Sequence, residues 1–400
     1  MKWVLILCGL LILIIIWLVL DFRLGRRKHL LKANKVETAI LHGELEIYTH
    51  GKEFFRSYFT ELQHAEKHIH ILYYIVKNDS FGQEFFTILK ERARVGVEVR
   101  LLIDRLGSLT IKKKEVSELK DAGVHVAFCN RVRPPFLFYS AQVRNHRKIS
   151  IIDGKIGFMG GFNIGKEYID KDPKLSPWRD YQLQITGESV NFLQSEFFID
   201  WNECALEKVD YRPEYFPKLP KGRIRHRFIP TEAGALEENF IQLIRKSTKS
   251  IIIGTPYFIP SAAIFAELLK ALQRGVHLTL IVPYTADHAL VQEASYRYLR
   301  RLLKAGALIY QYKNGFYHAK TLLIDEKICD IGTANFDRRS FFLNKEINCY
   351  IYDRSFIEKV MKVIEEDILD SKRMTLTQLN KPNLLRTVKE TAARAVCHFL

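Results

Sequence analysis

No two cysteines in this chain stand in a C-x-x-C pair. Its six cysteines, Cys8, Cys129, Cys204, Cys329, Cys349 and Cys397, are scattered, which argues against a zinc site or a disulfide scaffold. They read as reduced thiols in a cytosolic compartment. A Walker-type glycine loop is also missing, so the sequence offers no phosphate cradle of the nucleotide-binding kind. Acidic residues are in deficit, 45 against 61 lysines and arginines, and the formal net charge of +16 points to a polyanionic partner. Charge alone does not choose among anionic lipid, nucleic acid and a phosphorylated substrate. Apolar residues are not scarce. At 48% of 400 residues they suffice for one large core or two ordinary ones, and disorder is not expected.

Only one hydrophobic run is long. Residues 3–20, WVLILCGLLILIIIWLVL, form a predicted transmembrane anchor, rising about 27 Å as a helix, close to the thickness of a bilayer's hydrocarbon. The run is followed by DFRLGRRKH rather than by small residues, which favours an uncleaved anchor over a signal peptide. Arg23, Arg26, Arg27, Lys28, Lys32 and Lys35 follow the span, whereas Lys2 and the amino terminus precede it. The positive-inside rule then predicts a single-pass protein of the cell membrane with its body on the cytoplasmic side, facing anionic headgroups.

Beyond the anchor the same series of segments occurs twice. The amphipathic stretch Phe54 to Ala65 leads to HIHILYYIV, FFTILKERARVG and VEVRLLID; later, FIQLIRKSTKS leads to IIIGTPYFI, IFAELLKALQRG and VHLTLIVP. ELKDAGVHVAFCN and RLLKAGALIYQYKN follow in turn, each a helix end, a glycine stop and a strand. This alternation predicts an α/β fold of two similar repeats, 40–208 and 223–370, packed about a pseudo-twofold axis with helices on both sheet faces. Three prolines mark 209–222 as a linker. The basic tail, 371–400, has Lys372, Arg373, Lys381, Arg386, Lys389 and Arg394 among Leu379, Leu384, Leu385 and Val388, a pattern open to a membrane-surface helix or a helix packed on the domain.

Each repeat ends in H-x-K-x-x-x-x-D: His146, Lys148 and Asp153, then His318, Lys320 and Asp325. Seven residues beyond each Asp come Gly160-Gly161-Phe162-Asn163 and Gly332-Thr333-Ala334-Asn335. The Ile and Leu content of HRKISIID and HAKTLLID indicates a strand, in which residues two apart share a face, so His and Lys are presented together, while the Asp at the strand end begins the next turn and is expected to hold the site together. The small residues Gly161 and Thr333 leave room for a phosphate, to which the Asn163 and Asn335 amides can donate. Two imidazoles, two ammonium groups and two amides suit a phosphodiester. One histidine attacks phosphorus and the other protonates the leaving alcohol, then deprotonates its replacement. No metal or other cofactor is expected, since no carboxylate or thiolate joins His146 and His318 at ligand spacing. His64, His68, His70, His125, His277 and His288 lack such company and default to structure or surface.

At these residues the sequence resembles the phospholipase D superfamily and, within it, the bacterial cardiolipin synthases. YYIVKNDSFG (Tyr73 to Gly82), GFMGGFNIGKEY (Gly157 to Tyr168), WRD (Trp178 to Asp180), TPYFIP (Thr255 to Pro260) and GTANFDRRSFFLNKE (Gly332 to Glu346) carry the likeness beyond the twin motifs. It implies a pair of α/β sandwiches with one active site at their interface, and condensation of two phosphatidylglycerols with release of glycerol. It also implies that Asp180 and Glu346 orient the histidines, with His146 as nucleophile and His318 as acid and base. The chain departs from that pattern in having one span where two are common, and Gly-Gly where Gly-Ser is common. Pro134-Pro135-Phe136-Leu137-Phe138-Tyr139, flanked by Arg131, Arg133 and Arg144, reads either as a loop dipping into the lipid interface or as a buried loop over the sheet. Phosphatidylglycerol and an anionic membrane surface are the expected partners, and nucleic acid is not. Hydrolysis to phosphatidic acid, a nuclease and a non-enzymatic lipid-binding scaffold are the competing readings.

Overall fold

The computed structural model describes residues 1–32 and 38–396. Lys35 and Cys397 lie outside the described residues. The first helix, α1 (Lys2–Lys32), continues past the apolar run and carries its arginines on the same rod. It is long and apolar enough to cross a membrane, and its hydrophobic residues from Trp3 to Leu20 are largely exposed.

The first repeat runs β1 (Leu41–His50), α2 (Gly51–Gln63), β2 (His68–Tyr73), α3 (Ser80–Arg94), β3 (Glu98–Asp104), α4 (Lys113–Asp121) and β4 (His125–Cys129). It continues through α5 (Leu137–Gln142), β5 (Ile149–Ile152), β6 (Ile156–Gly160), β7 (Trp178–Thr186) and α6 (Val190–Cys204). The second begins β8 (Ile224–Thr231), α7 (Ala235–Lys246), β9 (Ser250–Gly254), α8 (Ala262–Gln273), β10 (His277–Pro283), α9 (Val291–Lys304) and β11 (Leu308–Tyr312). It ends with β12 (Phe316–Tyr317), β13 (Thr321–Ile324), β14 (Ile328–Gly332), α10 (Arg338–Phe342), β15 (Glu346–Ile351) and α11 (Arg354–Leu369). The expected strand and helix segments all form. Helix starts are capped where the sequence supplies an acceptor: Asp79 takes the amides of Phe81 and Gly82, and Ser261 that of Ile264. The stops match between copies as well. Gly96 and Gly275 end α3 and α8, Gly123 and Gly306 end α4 and α9, and all four have φ between 87° and 97°, where a side chain would be strained.

Strand order makes the internal symmetry explicit. From one edge it reads β11-β10-β9-β13-β14-β15-β8, and from the other β4-β3-β2-β5-β6-β7-β1. The halves meet where β1 pairs antiparallel with β8, Leu41 to Gly43 against Ile224 to His226. A central core spans the seam, gathering Leu183, Phe197 and Trp201 with Ile331, Ile347 and Ile364. Each repeat adds its own outer core, around Phe54, Phe85 and Phe158 in the first and around Phe240, Leu268 and Leu302 in the second. Burial of these apolar side chains, at about 1.5–3 kcal/mol each, is the main force holding the layers together.

Two segments are less free than their composition suggests. Tyr215, in the proline-rich stretch between the copies, is buried, and its hydroxyl donates to Glu98 at 2.7 Å. The tail adds an edge strand, β16 (Ser371–Arg373), antiparallel to β11, and two helices, α12 (Leu376–Asn380) and α13 (Leu384–Val396). Helix α13 packs on α9, with Ala393 buried and Glu390 bonded to Arg300 at 2.7 Å, while Leu384, Leu385 and Val388 stay exposed. The packed-helix reading of the tail therefore describes its inner face.

Candidate active site

Both H-x-K segments enter the site as extended chain rather than as strand proper, since β5 and β13 begin only after the lysines. What fixes them is the opposite repeat. The His146 amide donates to the Lys345 carbonyl at 2.9 Å, and the His318 amide donates to the Arg179 carbonyl at 2.7 Å. The residue before each histidine pairs in parallel with the same partner segment, Asn145 with Lys345 and Tyr317 with Arg179. Each histidine is thus stitched beside the first residue of a motif whose next member is a carboxylate.

Those carboxylates, Glu346 and Asp180, are fully buried. His146 Nδ1 lies 2.9 Å from Glu346 Oε2, and His318 Nδ1 lies 2.5 Å from Asp180 Oδ2. A carboxylate only accepts, so each Nδ1 carries the proton and each Nε2 is left with a lone pair. The pairing is crossed: the first repeat's carboxylate serves the second repeat's histidine, and the reverse. Glu346 is itself held by the hydroxyls of Thr333 (2.6 Å) and Ser340 (2.8 Å) and by the Asn344 amide (3.2 Å).

Burial dominates the electrostatics. It pushes His146 below its ordinary pKa, opposed by Glu346, and pushes His318 down to about 4, helped by Lys320 and opposed by Asp180. Burial also lowers Lys148 to about 7 and lowers Lys320. For Glu346 and Asp180 burial acts upward, but the facing histidines and lysines outweigh it and hold both carboxylates below their usual range. Each half-site responds to the other's charges, since Lys320 depresses both His146 and Lys148. The two therefore share one electrostatic environment. The site pairs neutral imidazoles with two ammonium groups that the two carboxylates balance, a setting in which the lysines can turn to the oxygens of an anionic phosphodiester.

The ammonium of Lys148 donates to the His146 carbonyl at 2.8 Å and sits 5.4 Å over the Tyr74 ring, whose edge meets the His146 imidazole. Lys320 bonds the carbonyl of His318 and reaches Asp180 at 3.4 Å. Tyr257 and Trp178 pack against His318, and the Tyr257 hydroxyl donates to Asp287 at 2.5 Å. The Asp287 charge acts on His318 in the same direction as Asp180.

The remaining residues singled out in the sequence stand differently. Asp153 and Asp325 lie at turns with φ of 53° and are distant from the chemistry. Asp153 accepts from the amides of Glu66, Lys67 and His68, and Asp325 from those of Thr248, Lys249 and Ser250, pinning each β-turn to the start of β2 or β9. Through these bonds the two aspartates act as staples of the turns. Gly161 and Thr333, expected to leave room for a phosphate, face the carboxylates of Asp180 and Glu346. A Cβ on Gly161 would stand 1.9 Å from Asp180 Oδ1, so a side chain there requires the carboxylate to shift. The Asn163 amide is engaged with the Ile75 amide (3.1 Å) and the Tyr168 hydroxyl (3.3 Å), whereas Asn335 Oδ1 is buried with no hydrogen-bond partner.

Two residues went unread in the sequence. Asp200 on α6 binds Asn145 (2.9 Å), Arg147 (3.0 Å) and Lys345 (3.2 Å), and Asp367 on α11 binds Arg179 (2.7 Å) and Tyr181 (2.5 Å). Each anchors the residue preceding an orienting carboxylate, again across the repeats. The available signal was an acid in register with the apolar face of its helix: Asp200 with Phe197 and Trp201, and Asp367 with Val360 and Ile364.

Residues 58–173 and 240–368 match the family described as cardiolipin synthase, PLD-like domain. The chain is 39% identical to the minor cardiolipin synthase ClsB of Bacillus subtilis over 96% of each chain. To the major cardiolipin synthase ClsA of the same organism it is 39% identical over 89% of this chain and 75% of that one. In fold it is similar to the crystal structure of phosphatidylserine synthase from Haemophilus influenzae, with a TM-score of 0.73 at 17% identity, over 91% of this chain and 98% of that one.

Proposed function

This chain belongs to the phospholipase D-like family of cardiolipin synthases, and from that premise we propose that it transfers a phosphatidyl group between two phosphatidylglycerols through a phosphohistidine on His146. The enzyme is a phosphatidyltransferase of membrane phospholipid. The observation that carries the mechanism is the crossed pair of histidine–carboxylate contacts, which leaves both Nε2 atoms free and directed by buried anions.

In the first step His146 Nε2 attacks phosphorus. The bond from phosphorus to the glycerol headgroup breaks, and the His318 imidazolium gives its proton to the departing oxygen. In the second step the neutral His318 takes a proton from a terminal hydroxyl of another phosphatidylglycerol, whose oxygen attacks phosphorus. The P–N bond breaks, cardiolipin leaves, and His318 is protonated again. Asp180 and the nearby Asp287 act against the burial and the Lys320 charge that lower His318, and a lipid phosphate acts with them; the acid and base role of His318 follows the family resemblance. Lys148 and Lys320 neutralise the non-bridging oxygens, to which the amides of Asn163 and Asn335 donate hydrogen bonds. By the positive-inside rule the catalytic body lies on the cytoplasmic side.

The test is to incubate detergent-solubilised protein with labelled phosphatidylglycerol alone, beside His146→Ala and His318→Ala variants. Cardiolipin and glycerol from the wild type only supports the reading. Phosphatidic acid as sole product makes the enzyme a hydrolase, and turnover independent of both histidines overturns the mechanism.

A further inference from the structure

Helix α1 does not simply tether the body. Past the apolar run it lies against α5, the short helix that delivers the chain to His146. Asp21 accepts from the Tyr139 amide at 2.7 Å, His29 Nδ1 is hydrogen-bonded to the Tyr139 hydroxyl at 2.8 Å, and the Phe22 ring meets Phe138 and Tyr139. Gly25 lets the helix approach so closely that a Cβ there would stand 2.7 Å from the Tyr139 ring. Lys28 sits over Phe136, and Arg26 lies 5.3 Å over Phe342 on α10, so both repeats touch the rod.

This docking leaves a groove of about 890 Å³ between α1 and the α5 loop. Its membrane end is walled by Ile15, Leu18 and Val19, Phe22 and Phe138 follow, and Arg23, Arg26 and Arg27 come next, ahead of Leu30 and Leu31 at the far end. The spacing from Ile15 through Leu18, Val19 and Phe22 to Arg26 follows one stripe of the helix, so apolar wall and guanidinium groups share a face. From Ile15 to Arg26 the helix rises about 16 Å, the scale of an acyl chain ending at its headgroup. Among the described residues, none that lines the groove is acidic. Arginine forks match phosphate oxygens, and Arg23 and Arg27 are exposed and able to take them.

From this juxtaposition we infer that the groove between α1 and Phe138 is a binding site for one anionic diacylglycerophospholipid drawn from the bilayer, with its acyl chain along Ile15 to Val19 and its phosphate on Arg23, Arg26 and Arg27. The site lies outside the histidine centre and requires no step of the transfer reaction. It holds a lipid at the segment that leads, within eight residues of Phe138, to His146.

Full-length protein is placed in phosphatidylcholine nanodiscs containing a diazirine-bearing phosphatidylglycerol or, at equal mole fraction, a diazirine-bearing phosphatidylcholine. Crosslinked peptides are mapped after illumination. Phosphatidylglycerol labels the segments containing Ile15 to Arg27 and Phe138 in preference to phosphatidylcholine, and the Arg23→Gln/Arg27→Gln variant loses at least about fivefold of that labelling, the effect of one basic group on an anionic lipid. Equal labelling by both lipids in the wild type means ordinary bilayer contact and overturns the inference, as does unchanged labelling in the variant. The His146→Ala protein is run in parallel and retains the preference. Should cardiolipin synthesis fail while that preference persists, the groove stands without the proposed reaction. If synthesis proceeds and no preference exists, the groove alone is lost.

Discussion

Glu346 Oε2 lies 2.9 Å from the Nδ1 of His146, two hundred residues away in sequence and in the other repeat. Its pseudo-symmetric mate joins Asp180 to His318 at 2.5 Å. A carboxylate so placed sets the tautomer and aim of the imidazole without touching the substrate, and the consequences are measurable.

Replacing either carboxylate by its amide, Glu346→Gln or Asp180→Asn, keeps the shape but removes the charge that favours Nδ1–H. We expect kcat to fall on the order of 10²–10⁴-fold with KM for phosphatidylglycerol changed far less. A loss confined to KM in steady-state assays would contradict the orienting role.

Gly161→Ala places a methyl group against the Asp180 carboxylate. The carboxylate must move, and His318 loses its partner. We expect kcat to fall roughly tenfold to a hundredfold, on the scale of displacing a partner that orients a functional histidine. Thr333→Ser, which keeps the hydroxyl on Glu346, is expected to stay within a few fold of the wild type.

Asp153→Ala and Asp325→Ala each remove an acceptor of three backbone amides. The unmade hydrogen bonds should cost about 2–4 kcal/mol of stability. Calorimetry should show a lower Tm, while kcat per folded molecule remains close to that of the wild type, because neither residue reaches the histidines.

The pH dependence follows from the buried bases. Lys148 is lowered to about 7, so the free enzyme loses this ammonium as pH rises through that value, and kcat/KM should decline there. Lys148→Arg should shift that alkaline limb upward, because guanidinium does not titrate in this range. Stability runs differently. His68 and His70, both lowered to about 3 by burial, and His318, lowered to about 4, bind protons less readily folded than unfolded. Their contribution is fully present above about 6.5 and is lost as pH falls toward the folded values. Thermal melts between pH 7 and 4 should show Tm dropping, and less steeply in His70→Gln.

Much of this was legible in one sequence because duplication supplies its own control. The motif at His146 gains force from its copy at His318, and the glycines after α3 and α8 fall at matching places. The structural duty of Asp153 and Asp325 followed from parity along the strand. The crossed pairing did not, since nothing local to Glu346 indicates which imidazole it meets. Asp200 and Asp367 were hidden for another reason: each sits in a helix among other acids, from which sequence alone does not single it out. The sequence also marked the end of the apolar run at Leu20 but not the end of the helix, because Asp21 to Lys32 is polar enough to resemble a loop until its docking on Tyr139 is seen.

The crossed carboxylates make the two halves mutual creditors. Severed within 209–222 and produced apart, each half would hold a histidine without its aim and an acid without its purpose. Function would return only on complementation, when the fragments reassemble. For the same reason neither copy is free to diverge alone: a substitution around Glu346 is selected through the behaviour of His146, and one around Asp180 through that of His318, so the duplicated halves are bound to co-evolve.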